Sequence, residues 1–288
     1  MFQLKVDSTR NCLHTVTRVR IQPVLLLLLF LLLPLLSSLS CISRPEYFLS
    51  QGAGYRWQGK CRNAMEMYNK ALRENPEYAD AYNARADCYR ELGIYDSALI
   101  DYRSAIRYDS TSSWAYLGCG IVHELRQEYP SAVGAYSKAY TIDTTKVAPL
   151  ERLTRSLYLM KSFDSALSVA TLLVTRNPNF PGYHFNRAVV LMDMRRTDEA
   201  LADLDDVEAG LHDLTVKGNE VSDIWFAWVH HARARIYHTI GDRARERAAL
   251  EMTVQCSESL ACDSIAGLDS IRAVLDNWSD DSDSLRAN

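Results

Sequence analysis

Five alanines stand 34 residues apart: Ala64, Ala98, Ala132, Ala166 and Ala200. A fixed period of this length builds a chain from copies of one supersecondary unit. Each copy is unable to bury its apolar face alone, so neighbours must stack. Other columns keep the same ruler. Tyr68, Tyr102 and Tyr136 follow the first three alanines by four residues, and Ala170 and Leu204 take that place in the next two units. Seven residues after the alanines come Ala71, Ala105, Ala139, Leu173 and Val207; twelve before them come Gly52, Ala86, Gly120, Thr154 and Ala188. Small residues where two backbones approach, with bulky ones three and four apart between them, form the pattern of packed helix pairs. Gly59 and Gly93 fall between the two helical stretches of their units, where a left-handed or tight turn is needed. Pro76 and Pro178 close units, Pro45 and Pro181 open them, and Pro130 and Pro149 lie near helix starts, all places that tolerate proline.

The unit 45–78 carries Gly52, Tyr55, Ala64, Tyr68, Ala71 and Pro76 at signature positions and resembles a tetratricopeptide repeat (TPR). Units 79–112, 113–146, 147–180 and 181–208 come after it, with Thr154, Ala170 and Thr197 departing from the usual pattern. The resemblance implies an all-α fold, a right-handed α-solenoid of about six helix pairs closed by a C-terminal capping helix. Phase is lost after Glu208. Residues 209–226, with Gly210, Gly218 and Asn219, read as an inserted loop or short excursion, and a long helix is expected from about Ser222 through Ile240. A degenerate sixth unit, 227–256, takes Gly241 as its turn glycine but has Glu246 in the alanine column. The solenoid thus spans 45–256. Ile265, Leu268, Ile271 and Leu275 suit a cap within 257–277, and the polar acidic segment 278–288 reads as a disordered tail.

The 48% apolar and 24% charged residues exclude bulk disorder, and a net charge of −4 speaks against a nucleic-acid surface. That charge is unevenly placed, +3 in residues 1–40 and −7 in the remainder. The basic start precedes the run IQPVLLLLLFLLLPLLSSL, Ile21 to Leu39, so residues 1–40 read as a signal peptide or an N-terminal membrane anchor. The sequence SSLSC at 37–41 resembles a bacterial lipoprotein processing site, which implies lipid attachment at Cys41, although Ser38 and Ser40 depart from the favoured residues. Three readings stay open: lipidation at Cys41, an uncleaved anchor, and ordinary secretion. All place residues 41–288 in the cell envelope or beyond, on the non-cytoplasmic side. Of the cysteines after Cys41, namely Cys61, Cys88, Cys119, Cys256 and Cys262, the last two are nearest in sequence and form the candidate bridge.

The resemblance also carries an expectation of function. A TPR groove is lined chiefly by the second, fifth, ninth, twelfth and thirteenth positions of each first helix. The second unit places Asp80, Asn83, Asp87, Arg90 and Glu91 there; the third Trp114, Leu117, Ile121, Glu124 and Leu125; the fifth Phe185, Val189, Met192 and Asp193. A polar, mostly acidic stretch leading into an apolar one implies a helix or extended peptide of a protein partner as ligand. The alternative is that unit curvature buries these side chains against neighbouring helices. The Lys and Asn clamp by which some TPR proteins hold a terminal carboxylate is absent, since its positions hold Leu49, Ala53, Ala84, Trp114 and Gly118. His230, His231 and His238 lack the i,i+4 spacing of metal ligands on one helix and read as surface or groove-lining polarity. Asp203, Asp205 and Asp206 read as solvated charge. No catalytic constellation, metal site or cofactor motif emerges. The expectation is a noncatalytic interaction scaffold, membrane-attached, with no nucleic-acid partner. An accessory glycan-binding lipoprotein of an uptake system is the alternative, and an undetected hydrolase a third reading for which the residues offer no site.

Overall fold

The computed structural model describes residues 43–216, 223–258 and 268–276. Cys41, Cys262 with its expected bridge to Cys256, residues 217–222 of the expected insertion and the acidic tail lie outside them. The described residues form thirteen helices. They pair as α1 (Arg44–Trp57) with α2 (Cys61–Glu74), α3 (Ala79–Glu91) with α4 (Tyr95–Tyr108), and α5 (Ser113–Leu125) with α6 (Tyr129–Ile142). Then come α7 (Ala148–Leu159) with α8 (Phe163–Arg176), α9 (Pro181–Asp193) with α10 (Thr197–Val216), and α11 (Asp223–Ile240) with α12 (Arg243–Glu258). A last helix, α13 (Leu268–Asp276), packs on α12 through Ile271. Each second helix also packs on the first helix of the next unit, and first helices touch one another in succession, α1 on α3, α3 on α5, α5 on α7 and α9 on α11. The expected all-α solenoid is the fold. Among the described residues, no helix is long and apolar enough to cross a membrane.

The alanine column explains the closeness of each pair: all five alanines are fully buried where the two helices of a unit meet. The tyrosine column fills the space beside it. A Cβ added at Gly120 would stand 2.4 Å from Cε1 of Tyr136, so glycine is what lets α5 approach the buried ring on α6. The tyrosine tips are satisfied from the first helices, Tyr102 donating to Asp87 at 2.6 Å and Tyr136 to Glu124 at 2.6 Å. Burial is the first cause that pushes both phenols well above their ordinary range, so they remain neutral donors.

The turn between paired helices has a positive φ in every unit: +73° at Gly59, +75° at Gly93 and +78° at Gly241, but also 61° at Gln127, 59° at Lys161 and 59° at Arg195. The geometry is required by the packing, and in three units a residue with a Cβ bears the cost. Lys161→Gly is therefore expected to stabilise the chain by about 0.5–1 kcal/mol, read as a higher urea midpoint at unchanged slope, because relief of the left-handed backbone exceeds the added freedom of the unfolded chain. A lower midpoint would show that Lys161 is held there by contacts worth more than the strain.

Gly210 does not open a loop. Helix α10 continues through it to Val216, so the first part of the expected insertion extends a helix instead. A Cβ at Gly210 would stand 2.8 Å from Cγ of Pro181, which makes this glycine a close-packing residue against the start of α9. In the sixth unit Glu246 is buried in the alanine column, taking a contact of 2.9 Å from His238 and one of 3.1 Å from Arg243. A charged residue replaces a small one there because its carboxylate is answered on both sides.

Candidate functional site

The groove residues expected of the second unit are largely occupied with one another. Arg56 from α1 reaches Asp87 at 2.8 Å and Glu91 at 2.7 Å, Arg90 lies 3.3 Å from Asp87, and the Cys61 thiol donates to Glu91 at 3.0 Å. Burial pushes the Glu91 carboxyl up, but the bond from Arg56 and then that from Cys61 hold it below its ordinary value. The acidic stretch is thus neutralised within the protein. Asp80 is exposed, and the Asn83 amide oxygen is buried without a hydrogen-bond partner. At the third unit Trp114 is 57% exposed with the Lys146 ammonium 4.1 Å above its ring, Ile121 is half-buried and Leu125 exposed. Leu117 is only 6% exposed and packs with Ala132, Tyr136 and Leu153, so it belongs to the core and not to the groove. At the fifth unit Phe185, Val189 and Met192 are half-buried; Phe185 meets Trp225 edge-on with ring centroids 6.1 Å apart. Asp193 accepts the Tyr158 hydroxyl at 2.6 Å and faces Arg235 at 3.7 Å.

One trough of about 460 Å³ brings residues of three first helices together. Its walls are Glu151, Arg152, Arg155 and Tyr158 of α7, Tyr183, Asn186 and Val189 of α9 with Phe180 just before it, and Trp225 of α11. Only Val189 of the expected set lies in it. The fourth-unit residues were readable with the same ruler, since Arg155 and Tyr158 hold its ninth and twelfth first-helix positions, while Trp225 lies beyond the break in phase. Electrostatically the α7 wall of the trough is basic: Arg152 and Arg155 share the single carboxylate of Glu124, at 3.5 and 3.7 Å, which also accepts the Tyr136 hydroxyl. Glu151 is turned to the Tyr183 hydroxyl at 2.9 Å. Two guanidinium groups with one acidic partner, bordered by exposed Phe180 and Trp225, can hold an anionic group and an apolar or aromatic side chain at once. A second trough, at the first two units, has Leu49, Ala53 and Ala84 on its floor and the nearly naked Trp57 at its rim. Three of the carboxylate-clamp positions therefore form an apolar bed.

Two polar clusters depart from expectation. Asp203 is 2% exposed, not solvated: Arg187 grips it with Nε at 2.8 Å and Nη2 at 2.5 Å, and Nδ1 of His184 stands 3.2 Å away. Asp205 is answered by Arg233, and Asp206 faces His184. His230 is buried and His231 half-buried, burial being the first cause that lowers both imidazoles from their ordinary value, so neither presents surface charge. The signal missed for Asp203 lies in the repeat itself, since Arg85 and Asp101 stand at the same two places in the second unit and pair in the same way, at 2.7 and 2.8 Å.

Helix pairs stacked one on the next, each second helix packing on the first helix of the following unit, define an α-solenoid of the tetratricopeptide type. The profile of the tetratricopeptide repeat family matches residues 51–113, within the first three units. The Hsp70-Hsp90 organizing protein of Triticum aestivum is 33% identical over 98 residues, which cover 34% of this chain and 17% of that protein. Anaphase-promoting complex subunit 3 of Schizosaccharomyces pombe is 23% identical over 172 residues, 57% of this chain and 26% of that one. The chain thus spans a minor part of each relative. Among solved structures, pilF of Pseudomonas aeruginosa superposes with a TM-score of 0.61 at 20% identity, covering 80% of this chain and 97% of that one. PilW, a type IV pilus biogenesis factor, gives 0.62 at 14% identity over 80% and 99%. YrrB, described as a TPR protein with an unusual peptide-binding site, gives 0.56 at 21% identity over 71% and 97%. At these identities what is shared is the fold.

Proposed function

We propose that this chain is a noncatalytic protein-interaction scaffold whose trough between α7, α9 and α11 receives a segment of a partner protein carrying acidic and aromatic side chains. The observation that carries this reading is the pair Arg152 and Arg155, with side chains 43% and 67% exposed, sharing one carboxylate beside exposed Phe180 and Trp225. Buried aromatic anchors next to charge-assisted contacts are what concentrates binding energy at a protein interface. The peptide-binding site named for YrrB supports the view that stacks of this kind take peptides. We place the scaffold at a bacterial cell envelope, held by a lipid on Cys41 or by the Leu-rich segment, because a basic flank ahead of Ile21–Leu39 directs the rest of the chain out of the cytoplasm.

The test uses fluorescent peptides of alternating Glu and Phe or Trp, with matched Lys-containing peptides as controls. The full chain is expected to bind the acidic series, and Arg152→Glu with Arg155→Glu to weaken it about 100-fold, the effect of two charge-assisted contacts. Equal binding of both series, or an unchanged affinity in the double variant, overturns the trough as the site. Fractionation with intact-mass measurement of the mature amino terminus tests the attachment separately.

A further inference from the structure

We propose that His184, Asp203 and Asp206 form a binding site for a divalent transition-metal ion of the zinc type, which ties the two helices of the fifth unit together. His184 lies in the first turn of α9, and the two aspartates, three residues apart, share one face of α10. Nε2 of His184 is 2.8 Å from the carbonyl oxygen of Pro178. A carbonyl only accepts, so Nε2 carries the ring proton. Nδ1 then faces Asp203 Oδ1 at 3.2 Å and Asp206 Oδ2 at 3.4 Å. A lone pair opposite two carboxylates needs a cation between them, either a second proton or a metal ion.

The distances favour the metal. A charge-assisted N–H···O bond contracts to about 2.7–2.9 Å, whereas these two contacts are longer and nearly equal. Donors bound at roughly 2.0–2.1 Å in tetrahedral geometry stand about 3.3 Å apart. All three donor atoms lie within 4.8 Å of one another. The bond from Nε2 to Pro178 is the kind of outer contact that orients a ligating imidazole. Arg187 keeps Asp203 in place through Nε and Oδ2, while its shorter contact to Oδ1 is the one an ion would replace. Asp206, with its side chain 62% exposed, supplies the way in.

The repeat provides its own control. The second unit has the same Arg–Asp pair, Arg85 and Asp101, but Tyr82 stands at the place of His184 and Ser104 at the place of Asp206. Both extra donors therefore belong to the fifth unit and are not needed for packing a unit of this kind. Imidazole with carboxylates is a donor set suited to zinc and its neighbours.

The experiment titrates zinc chloride into chelator-treated full-length protein by calorimetry. A saturable site is expected that Asp206→Asn weakens by about 10- to 100-fold, a change at an exposed side chain that leaves the buried Arg187–Asp203 pair intact. X-ray absorption of the loaded protein should show an imidazole nitrogen among oxygen ligands, lost in His184→Gln. Titrations unchanged by both substitutions overturn the proposal. So does nitrogen NMR showing both ring nitrogens of His184 protonated while stoichiometric zinc is present.

Discussion

Arg85→Met is expected to lower the unfolding free energy by about 3 kcal/mol. Arg85 donates to Asp101 at 2.7 and 2.8 Å and to the Asn69 amide oxygen at 2.6 Å, so one guanidinium joins α3 and α4 and reaches back to α2 of the unit before. The bond to Asp101 is the leading cause that raises its already high affinity for the proton. Removing it strands a carboxylate whose side chain is 6% exposed. Replacing both partners, Arg85→Met with Asp101→Leu, should recover most of the loss, because no charge is then left buried. Urea unfolding measures the sum. In a stack whose units touch only their neighbours, hydrogen exchange should place the loss in the first three units and leave α11 and α12 protected. A single variant as stable as the parent would mean that Asp101 finds water or another donor.

Gly120→Ala is expected to cost about 3 kcal/mol, while Gly134→Ala should gain about 0.5–1 kcal/mol. Both glycines are helical, on α5 and α6, and propensity alone would make both substitutions stabilising. They differ in their surroundings. A Cβ at position 120 meets three ring atoms of Tyr136 at 2.4, 2.5 and 3.0 Å, and that ring is fully buried with its hydroxyl tied to Glu124. At position 134 nothing lies within 4 Å. Thermal unfolding of the two variants separates the effects, since their midpoints should move in opposite directions. Movement of both upward would show that α5 and α6 can part without loss.

The helix pairing was legible because the residues that produce it recur at one period. Ala64 and its four successors, with the tyrosines beside them, mark the two faces that must meet whatever else the units carry. Where the residue type varies while the geometry persists, the sequence was silent: Gln127, Lys161 and Arg195 occupy the left-handed turn that Gly59 and Gly93 announce. Gly210 misled for the opposite reason, being a residue associated with loops that serves here for close approach to Pro181. The groove was legible only in outline. Helical position says which way a side chain leaves its own helix, but Leu117 is covered by Ala132 and Tyr136 of its own unit and by Leu153 of the next, and Asp87 and Glu91 are neutralised by Arg56, which lies outside their unit.

By itself, then, the sequence determined that this chain is a one-dimensional stack: the 34-residue period leaves each unit with an apolar face that only another copy can cover. The tertiary structure alone decided which polar groups remain available to a ligand. Charge pairing across units joins residues such as Arg56 and Glu91, 35 positions apart, and the repeat does not say which of its varying side chains will meet. Arg152 and Arg155 are left with half the negative charge they could use, whereas Asp87 and Glu91 are closed off by Arg56, and that difference arises from which neighbour reaches each of them first.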